Sequence, residues 1–355
     1  MSLQVDIEKK LPGFHLEISF RCDQNTLGLL GSSGSGKSMT LRCIAGLETP
    51  TKGHISHRGR VLFDSAKGIN LPPQTRKTGF VFPNYALFPH LTVAQNICLG
   101  LRGLSRSAQM SSMEELLATV RMSGFESRYP AQLSSGQQQR AALARVLAPG
   151  PNILLLDEPF SSLDSDLRGE LEQQLSAILK NFRKPSVFVT HNLDEAYRLC
   201  PELLLLHNGK AVACGAREDL FSRPPVYEAA RLTACQNISR ARRTGDHEVE
   251  AMDWGCRLLV TQSVPDKLAH VGIRAHQIRF TGRQDTDNTF PCSIKDLAQA
   301  PDHVLISVKL GPSDHESDLN ILTVRTNSER SAAIQEGKQP LFVKLPAKDI
   351  ILMSG

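Results

Sequence analysis

Gly31-Ser32-Ser33-Gly34-Ser35-Gly36-Lys37-Ser38 constrains this chain more than any other stretch of it. It fits the pattern G-x-x-x-x-G-K-[ST], follows a short apolar run at 26–30, and opens a segment of helical composition, 38–46. That segment ends on a glycine suited to a helix C-cap. Glycines at these spacings let the backbone wrap closely around an anion and turn successive N–H groups toward it. Strand, glycine loop and helix in this order belong to α/β folds, in which ligands sit at the carboxyl ends of parallel strands. In such a loop Lys37 pairs with the terminal phosphates of a nucleotide, and the Ser38 hydroxyl holds Mg²⁺.

Further apolar runs at 79–82, 153–156, 186–190 and 203–206 read as buried strands of a mainly parallel core sheet. Between them, 108–124 and 137–147 read as helices of an inserted lobe. The run Ile153-Leu154-Leu155-Leu156 ends in Asp157-Glu158-Pro159, so one buried strand delivers two carboxylates to its carboxyl end. Asp157 is positioned to hold Mg²⁺ through water, and Glu158 to polarise an attacking water as general base.

Three further segments carry a resemblance. Leu133-Ser134-Ser135-Gly136-Gln137 is similar to the LSGGQ signature of ABC-type ATPases, Ser161-Ser162-Leu163-Asp164 to their D-loop, and Val189-Thr190-His191-Asn192 to their switch-histidine strand. With the two motifs above, all occur once and in the family's order. The resemblance implies an ATPase cassette over 1–235, with a helical lobe at about 84–147, that uses ATP and Mg²⁺. It implies a homodimer in which two copies sandwich two ATP molecules head to tail. Each site is then completed in trans by Ser134, Ser135, Gly136, Gln137 and Asp164, and His191 contacts the γ-phosphate and Glu158. Phe14, upstream of the glycine loop, is the candidate adenine-stacking ring; a core phenylalanine is the equal alternative.

The chain departs from the family twice. Ser135 stands where the family has glycine, a mild change if that position keeps negative φ. Pro83, after Val81-Phe82, stands where the family has its Q-loop glutamine, and proline offers no side-chain oxygen. Three consequences are open: Asn84 supplies the amide oxygen, water replaces the ligand with slower turnover, or hydrolysis is very poor. Tyr85, Leu87, Phe88 and His90 follow as an aromatic, apolar stretch, fit either to receive a helix of a membrane permease or to pack the lobe.

Beyond residue 236 the texture becomes short alternating stretches separated by Gly, Pro, Asp and Asn, as at 256–261, 271–274, 304–310 and 341–345. The fold expected is therefore an α/β cassette plus a small all-β module over 236–355. Val271-Gly272-Ile273-Arg274-Ala275-His276-Gln277-Ile278-Arg279 resembles the OB-like (TOBE/Mop-like) regulatory domain of import-type cassettes, with Ala275 in place of proline. Cys235-Gln236-Asn237-Ile238-Ser239-Arg240 is most similar to molybdate- and sulfate-class subunits. The resemblance implies an importer for molybdate, with sulfate second and polyamine, iron or sugar behind, working with permease subunits and indirectly with a solute-binding protein.

Net charge is only +5, and the densest basic group, Arg240-Ala-Arg242-Arg243, reads as a solvated linker, so no nucleic-acid partner is expected. Cassettes of DNA repair or translation form the rival class, but the paired cassettes, zinc modules or coiled coils of such machines are not seen in this sequence. Eight dispersed cysteines without a Cys-x-x-Cys pair suit a reducing cytosol rather than a zinc site. Residues 1–13 lack the apolar core of a signal peptide, and no apolar run approaches the ~18 residues of a spanning helix. The chain is therefore expected at the cytoplasmic face of the plasma membrane, held there by a partner.

Overall fold

The computed structural model describes residues 2–161, 165–282, 287–311, 320–327 and 341–355, in two units, Met1–Arg217 and Glu218–Gly355. The strands of the first unit are β1 (Leu3–Leu11), β2 (Phe14–Cys22), β3 (Thr26–Gly31), β4 (Lys52–His57), β5 (Arg60–Asp64), β6 (Ile69–Asn70), β7 (Thr78–Val81), β8 (Ile153–Asp157), β9 (Ser186–Thr190), β10 (Glu202–His207) and β11 (Lys210–Ala216). They form one sheet in the order β6-β5-β4-β1-β2-β11-β10-β3-β9-β8-β7. Its helices are α1 (Lys37–Ala45), α2 (Pro73–Arg76), α3 (Val93–Cys98), α4 (Arg106–Thr119), α5 (Ser135–Leu147), α6 (Ser165–Phe182) and α7 (Leu193–Leu199).

The half of the sheet from β7 to β10 is parallel throughout. Every residue of β3, β8 and β9 is buried, which is why these strands read as unbroken apolar runs rather than alternating ones. The other half is an antiparallel wing of β1, β2, β4, β5 and β6. In β2 burial alternates residue by residue, the mark of a sheet covered on one face. The expected parallel sheet is thus the core of a larger mixed one. Parallel strands end on the same side, so the turns after β3, β7, β8 and β9 share one edge of the sheet. Four of the dispersed cysteines, Cys22, Cys43, Cys200 and Cys235, are buried as small apolar side chains.

Helix α1 is fixed from behind by Arg76, which is 2% exposed. Its guanidinium donates to the carbonyls of Cys43 and Ile44 at 2.9 Å each, of Leu71 at 2.8 Å, and to Asn70 Oδ1 at 2.7 Å. A cation thereby caps the negative end of the helix that carries the phosphate loop. Gly46 follows at φ 81, and a Cβ there would fall 2.6 Å from Arg76 Nε, so both turn geometry and space require glycine. In the lobe, α4 stops at Thr119, earlier than its composition predicts, because Arg121 and Gly124 take positive φ.

The second unit carries the short helices α8 (Arg217–Ser222) and α9 (Tyr227–Leu232) and ten described strands: β12 (Asn237–Arg243), β13 (Glu248–Ala251), β14 (Cys256–Leu259), β15 (Leu268–Ile273), β16 (Arg279–Thr281), β17 (Thr289–Gln299), β18 (Val304–Leu310), β19 (Ile321–Thr326), β20 (Phe342–Lys344) and β21 (Ile351–Ser354). They form two five-stranded sheets, β14-β13-β12-β15-β21 and β16-β20-β17-β18-β19, around one apolar core that includes Trp254, Leu258, Ile306 and Val343. The segment after Thr233 is tied down by polar contacts. Arg274 donates to the carbonyl of Thr233 at 2.6 Å and to that of Phe221, which groups the two helices with the β-sheets. Asn237 donates to Ile273 O at 3.2 Å and Thr323 O at 2.8 Å, and accepts from Thr323 N.

Arg76→Met would leave the α1 carbonyls unpaired in the core. Its first unfolding transition in denaturant is expected to show a loss of about 3 kcal/mol, the cost of stranding buried polar groups. A loss within experimental error of zero would remove the capping role.

Candidate active site

The loop after β3 folds back on itself before any ligand is considered. Ser35 N donates to Ser32 O at 3.2 Å, and Gly36 is the N-cap of α1 at φ 104, a conformation closed to side-chain-bearing residues. Lys37 Nζ, almost wholly buried, donates to the carbonyls of Gly31 at 2.8 Å and Ser32 at 2.9 Å. Burial lowers the pKa of this ammonium, against the opposing pull of Glu158 and Asp157. Ser33 and Gly34 complete the loop at its exposed rim, and Ser35 Oγ is buried without a hydrogen-bond partner.

Asp157 closes β8, 1% exposed, and its Oδ1 accepts from Ser38 Oγ at 2.7 Å. Burial pushes this carboxyl above the usual range, while the Ser38 hydrogen bond, Arg42 and Lys37 pull it back and Glu158 adds to the rise. A hydroxyl and a carboxylate converging at one point are two hard oxygen donors, and that set fits Mg²⁺. The next residue, Glu158, turns out of the strand at φ 43. Its N–H donates to Val189 O at 3.0 Å, while Ser161 N and Oγ donate to its carbonyl at 3.1 and 2.9 Å. The side chain reaches His191 Nδ1 at 3.3 Å.

His191 follows β9, and the structure behind it is well anchored. Thr190 Oγ1 donates to Glu195 Oε2 at 2.5 Å and accepts from Asn192 N at 3.0 Å, while Asn192 Oδ1 caps α7 at Asp194 N and Glu195 N. Burial raises the Glu195 carboxyl, and Arg168 lies 3.8 Å away. Lys37, Ser38, Asp157, Glu158 and His191 are therefore brought to one sheet edge. Phe14 is half-buried at the start of β2. Its Cζ lies 3.2 Å from where a Cβ on Gly36 would stand, and the ring also packs on the core.

Among the described residues, the signature shares no hydrogen bond with this cluster. Ser134 is the N-cap of α5 in a capping box: Gln137 N donates to Ser134 Oγ at 3.3 Å, and Ser134 N donates to Gln137 Oε1 at 3.0 Å. Among the described residues, every hydrogen bond of Ser134, Ser135, Gly136 and Gln137 stays within this helix. Ser135 keeps negative φ, so the serine is accommodated. Asp164 lies outside the described residues. Pro83 and Asn84 form an exposed turn after β7, closed by Tyr85 N donating to Phe82 O at 3.0 Å.

Two arrangements gave no signal in the sequence. One is the Thr190–Glu195–Asn192 support under His191. The other is Arg145, which reaches from α5 to the carbonyls of Tyr85 and Ala86. Both depend on side chains far apart in sequence or on helix capping that the motif residues conceal.

Residues 16–161 match the ABC transporter family. The molybdenum import ATP-binding protein ModC of Paramagnetospirillum magneticum is 34% identical over 325 residues, 88% of this chain and 89% of that protein. The sulfate/thiosulfate import ATP-binding protein CysA of Halalkalibacterium halodurans is 44% identical over 273 residues, 74% of this chain and 73% of that one. Among solved structures, the dimeric post-hydrolysis state of the ATP-binding cassette MJ0796 bound to ADP and Pi superposes with a TM-score of 0.52 at 28% identity, over 61% of this chain and 98% of that one.

Since burial holds Asp157 above the usual carboxylate range, its ionisation costs the folded state free energy. That cost is absent below the unfolded-state pKa and is complete once pH has risen through the folded pKa. Asp157→Asn is expected to melt with wild type below pH about 4 and above it at neutral pH, measured without nucleotide. A wild type more stable than the variant at neutral pH would contradict this.

Proposed function

This chain belongs to the ATP-binding proteins of import-type ABC transporters, in the molybdate and sulfate class, and is an ATPase; on that premise we propose that two copies, docked on a membrane permease, drive uptake of molybdate. The observation that carries the enzymatic part is the cluster at one sheet edge: Ser38 Oγ 2.7 Å from Asp157 and Glu158 3.3 Å from His191, beside a buried Lys37.

Lys37 exchanges its bonds to Gly31 and Ser32 for the β- and γ-phosphates, and the loop N–H groups receive the same anion. Ser38 and Asp157 would hold Mg²⁺, which when bound would neutralise charge on the phosphate oxygens. Glu158, with its backbone anchored to β9 and its side chain against His191, takes the proton of the attacking water. Phe14, half-buried beside Gly36, offers its ring to the adenine. Ser134 to Gln137 contribute to the other copy's site through the capped, positive end of α5. The dimeric state of the MJ0796 cassette supports this pairing.

Among the described residues no helix is long and apolar enough to cross a membrane. In this reading the chain works at the cytoplasmic face on permease subunits, and its contact with a solute-binding protein is indirect. The choice of molybdate is supported by the ModC alignment, which spans 88% of the chain and so extends into the second unit. Sulfate stands second, supported by higher identity over shorter alignments. Residues 236–355 are the regulatory module in this reading.

Hydrolysis by the purified chain with Mg²⁺, compared with Glu158→Gln, tests the core of the proposal. The variant is expected to lose turnover and elute as an ATP-bound dimer; a monomer at saturating ATP would sink the sandwich. Uptake of labelled molybdate and sulfate by cells with and without the chain separates the two solutes.

Pro83→Gln restores a side-chain oxygen at the turn after β7. Its rate at saturating ATP is expected to rise severalfold, on the order of the gain from one positioned polar group, with the KM for ATP unchanged. An unchanged rate would mean that Pro83 costs the enzyme nothing.

A further inference from the structure

We propose that Arg145 is a positioning residue for ATP hydrolysis, resting on the ATPase reading above: by clamping Tyr85 and Ala86 it fixes the turn that carries Pro83 and Asn84 at the catalytic edge of the sheet. Arg145 lies in the last turn of α5, the helix whose first turn carries the signature. Its Nη1 donates to Ala86 O at 2.7 Å and its Nη2 to Tyr85 O at 3.1 Å. The guanidinium also lies 5.5 Å from the centre of the Phe88 ring.

The two carbonyls it holds belong to consecutive residues with side chains at positive φ, 60 for Tyr85 and 47 for Ala86. L-residues other than glycine visit this region at a cost, and a pair of them persists only where the surroundings dictate it. A planar fork that bonds both carbonyls at once does dictate it. Upstream, Tyr85 N donates to Phe82 O at 3.0 Å and Ala86 N to Asn84 O at 2.6 Å, so the left-handed pair and the Pro83-Asn84 turn are one rigid piece.

That piece sits beside the reacting groups. β7 pairs with β8 in parallel, with Val81 opposite Leu156, so the chain leaves β7 level with Asp157 and Glu158. The clamp is itself grounded on the sheet. A Cβ on Gly79 would fall 2.7 Å from Val146 and 3.1 Å from Pro151, so the end of α5 is seated directly on β7. Proline at position 83 has no side-chain oxygen to give. What the turn contributes to hydrolysis therefore comes from its backbone and from Asn84, and their placement is set by the turn geometry. Arg145 holds that geometry from the helix that also presents the signature.

The experiment compares full-length wild type, Glu158→Gln, Arg145→Met, Arg145→Lys and Arg145→Met/Ala86→Gly by ATPase kinetics and thermal unfolding. Arg145→Met is expected to lose about tenfold in kcat, the scale of a small misplacement near the reacting centre, with the KM for ATP held within about twofold. Arg145→Lys should fall nearly as far, because one ammonium cannot reproduce the fork. Adding Ala86→Gly should recover much of the lost rate, since glycine holds the left-handed conformation unaided. A kcat equal to wild type, or a loss of kcat, ATP affinity and melting temperature together, would overturn the assignment and leave Arg145 as scaffold. A wild type without turnover sensitive to Glu158→Gln would remove the ATPase reading and this inference with it.

Discussion

The hydrogen bond from Ser38 to Asp157, 2.7 Å long, joins side chains 119 residues apart, and the site is organised around it. It can form only because β3 pairs with β9 and β9 with β8, all parallel and all buried, so that the loop and the acidic turn leave the sheet at the same edge. The same two pairings place Glu158 next to His191. Shifting either register by one residue would reverse the facing of a whole strand and separate the four groups. The apolar runs that make the core are therefore also what align the chemistry.

Several charged groups of the first unit are buried, and each is compensated differently. Lys37 donates to two carbonyls of its own loop, which hold the side chain in place. Asp157 has one hydroxyl and the neighbouring cations, which leaves its ionised form strained in the free protein. Glu195 has Thr190 and Arg168. Arg76 makes four hydrogen bonds to backbone and amide oxygens and serves the architecture. Burial disfavours the ionised form of Asp157, and a divalent cation beside it would offset that cost.

The legible parts of the sequence were those in which function and fold demand the same short segment. The glycine loop, the 153–157 strand with its two acids and the strand before His191 could each be read because a motif coincided with a run buried on both faces. β18 was legible for a related reason, its Val304–Leu310 run being long and bounded by turn residues. The antiparallel wing was harder: the one-faced alternation of β1 and β2 spreads its apolar residues too thinly to stand out beside the core strands. The early end of α4 was hidden because Arg121 adopts a conformation that its residue type does not announce. The supports of the site were invisible for a different reason. Arg145, Arg76 and Thr190 act through bonds to distant backbone or to a helix cap, and nothing about an arginine or a threonine in sequence says which carbonyl it will meet.

The two departures from the family pattern differ in kind once the backbone is known. At the signature, Ser135 is the first residue of α5 and keeps negative φ, so the position never needed glycine's freedom. Gly136 is retained where a Cβ would stand 3.1 Å from Leu171 Cδ1, a tight contact to which the leucine side chain would have to yield. At the other departure the backbone gains. Pro83 follows Phe82 in a turn closed by Tyr85 N on Phe82 O, the second position of a turn, where the fixed φ of proline is favoured. What the substitution removes is a side-chain oxygen, not a conformation. A chain that gives up the oxygen while stiffening the turn that carried it, and holds the next two residues through Arg145, has shifted the work of that position from a side chain to backbone geometry.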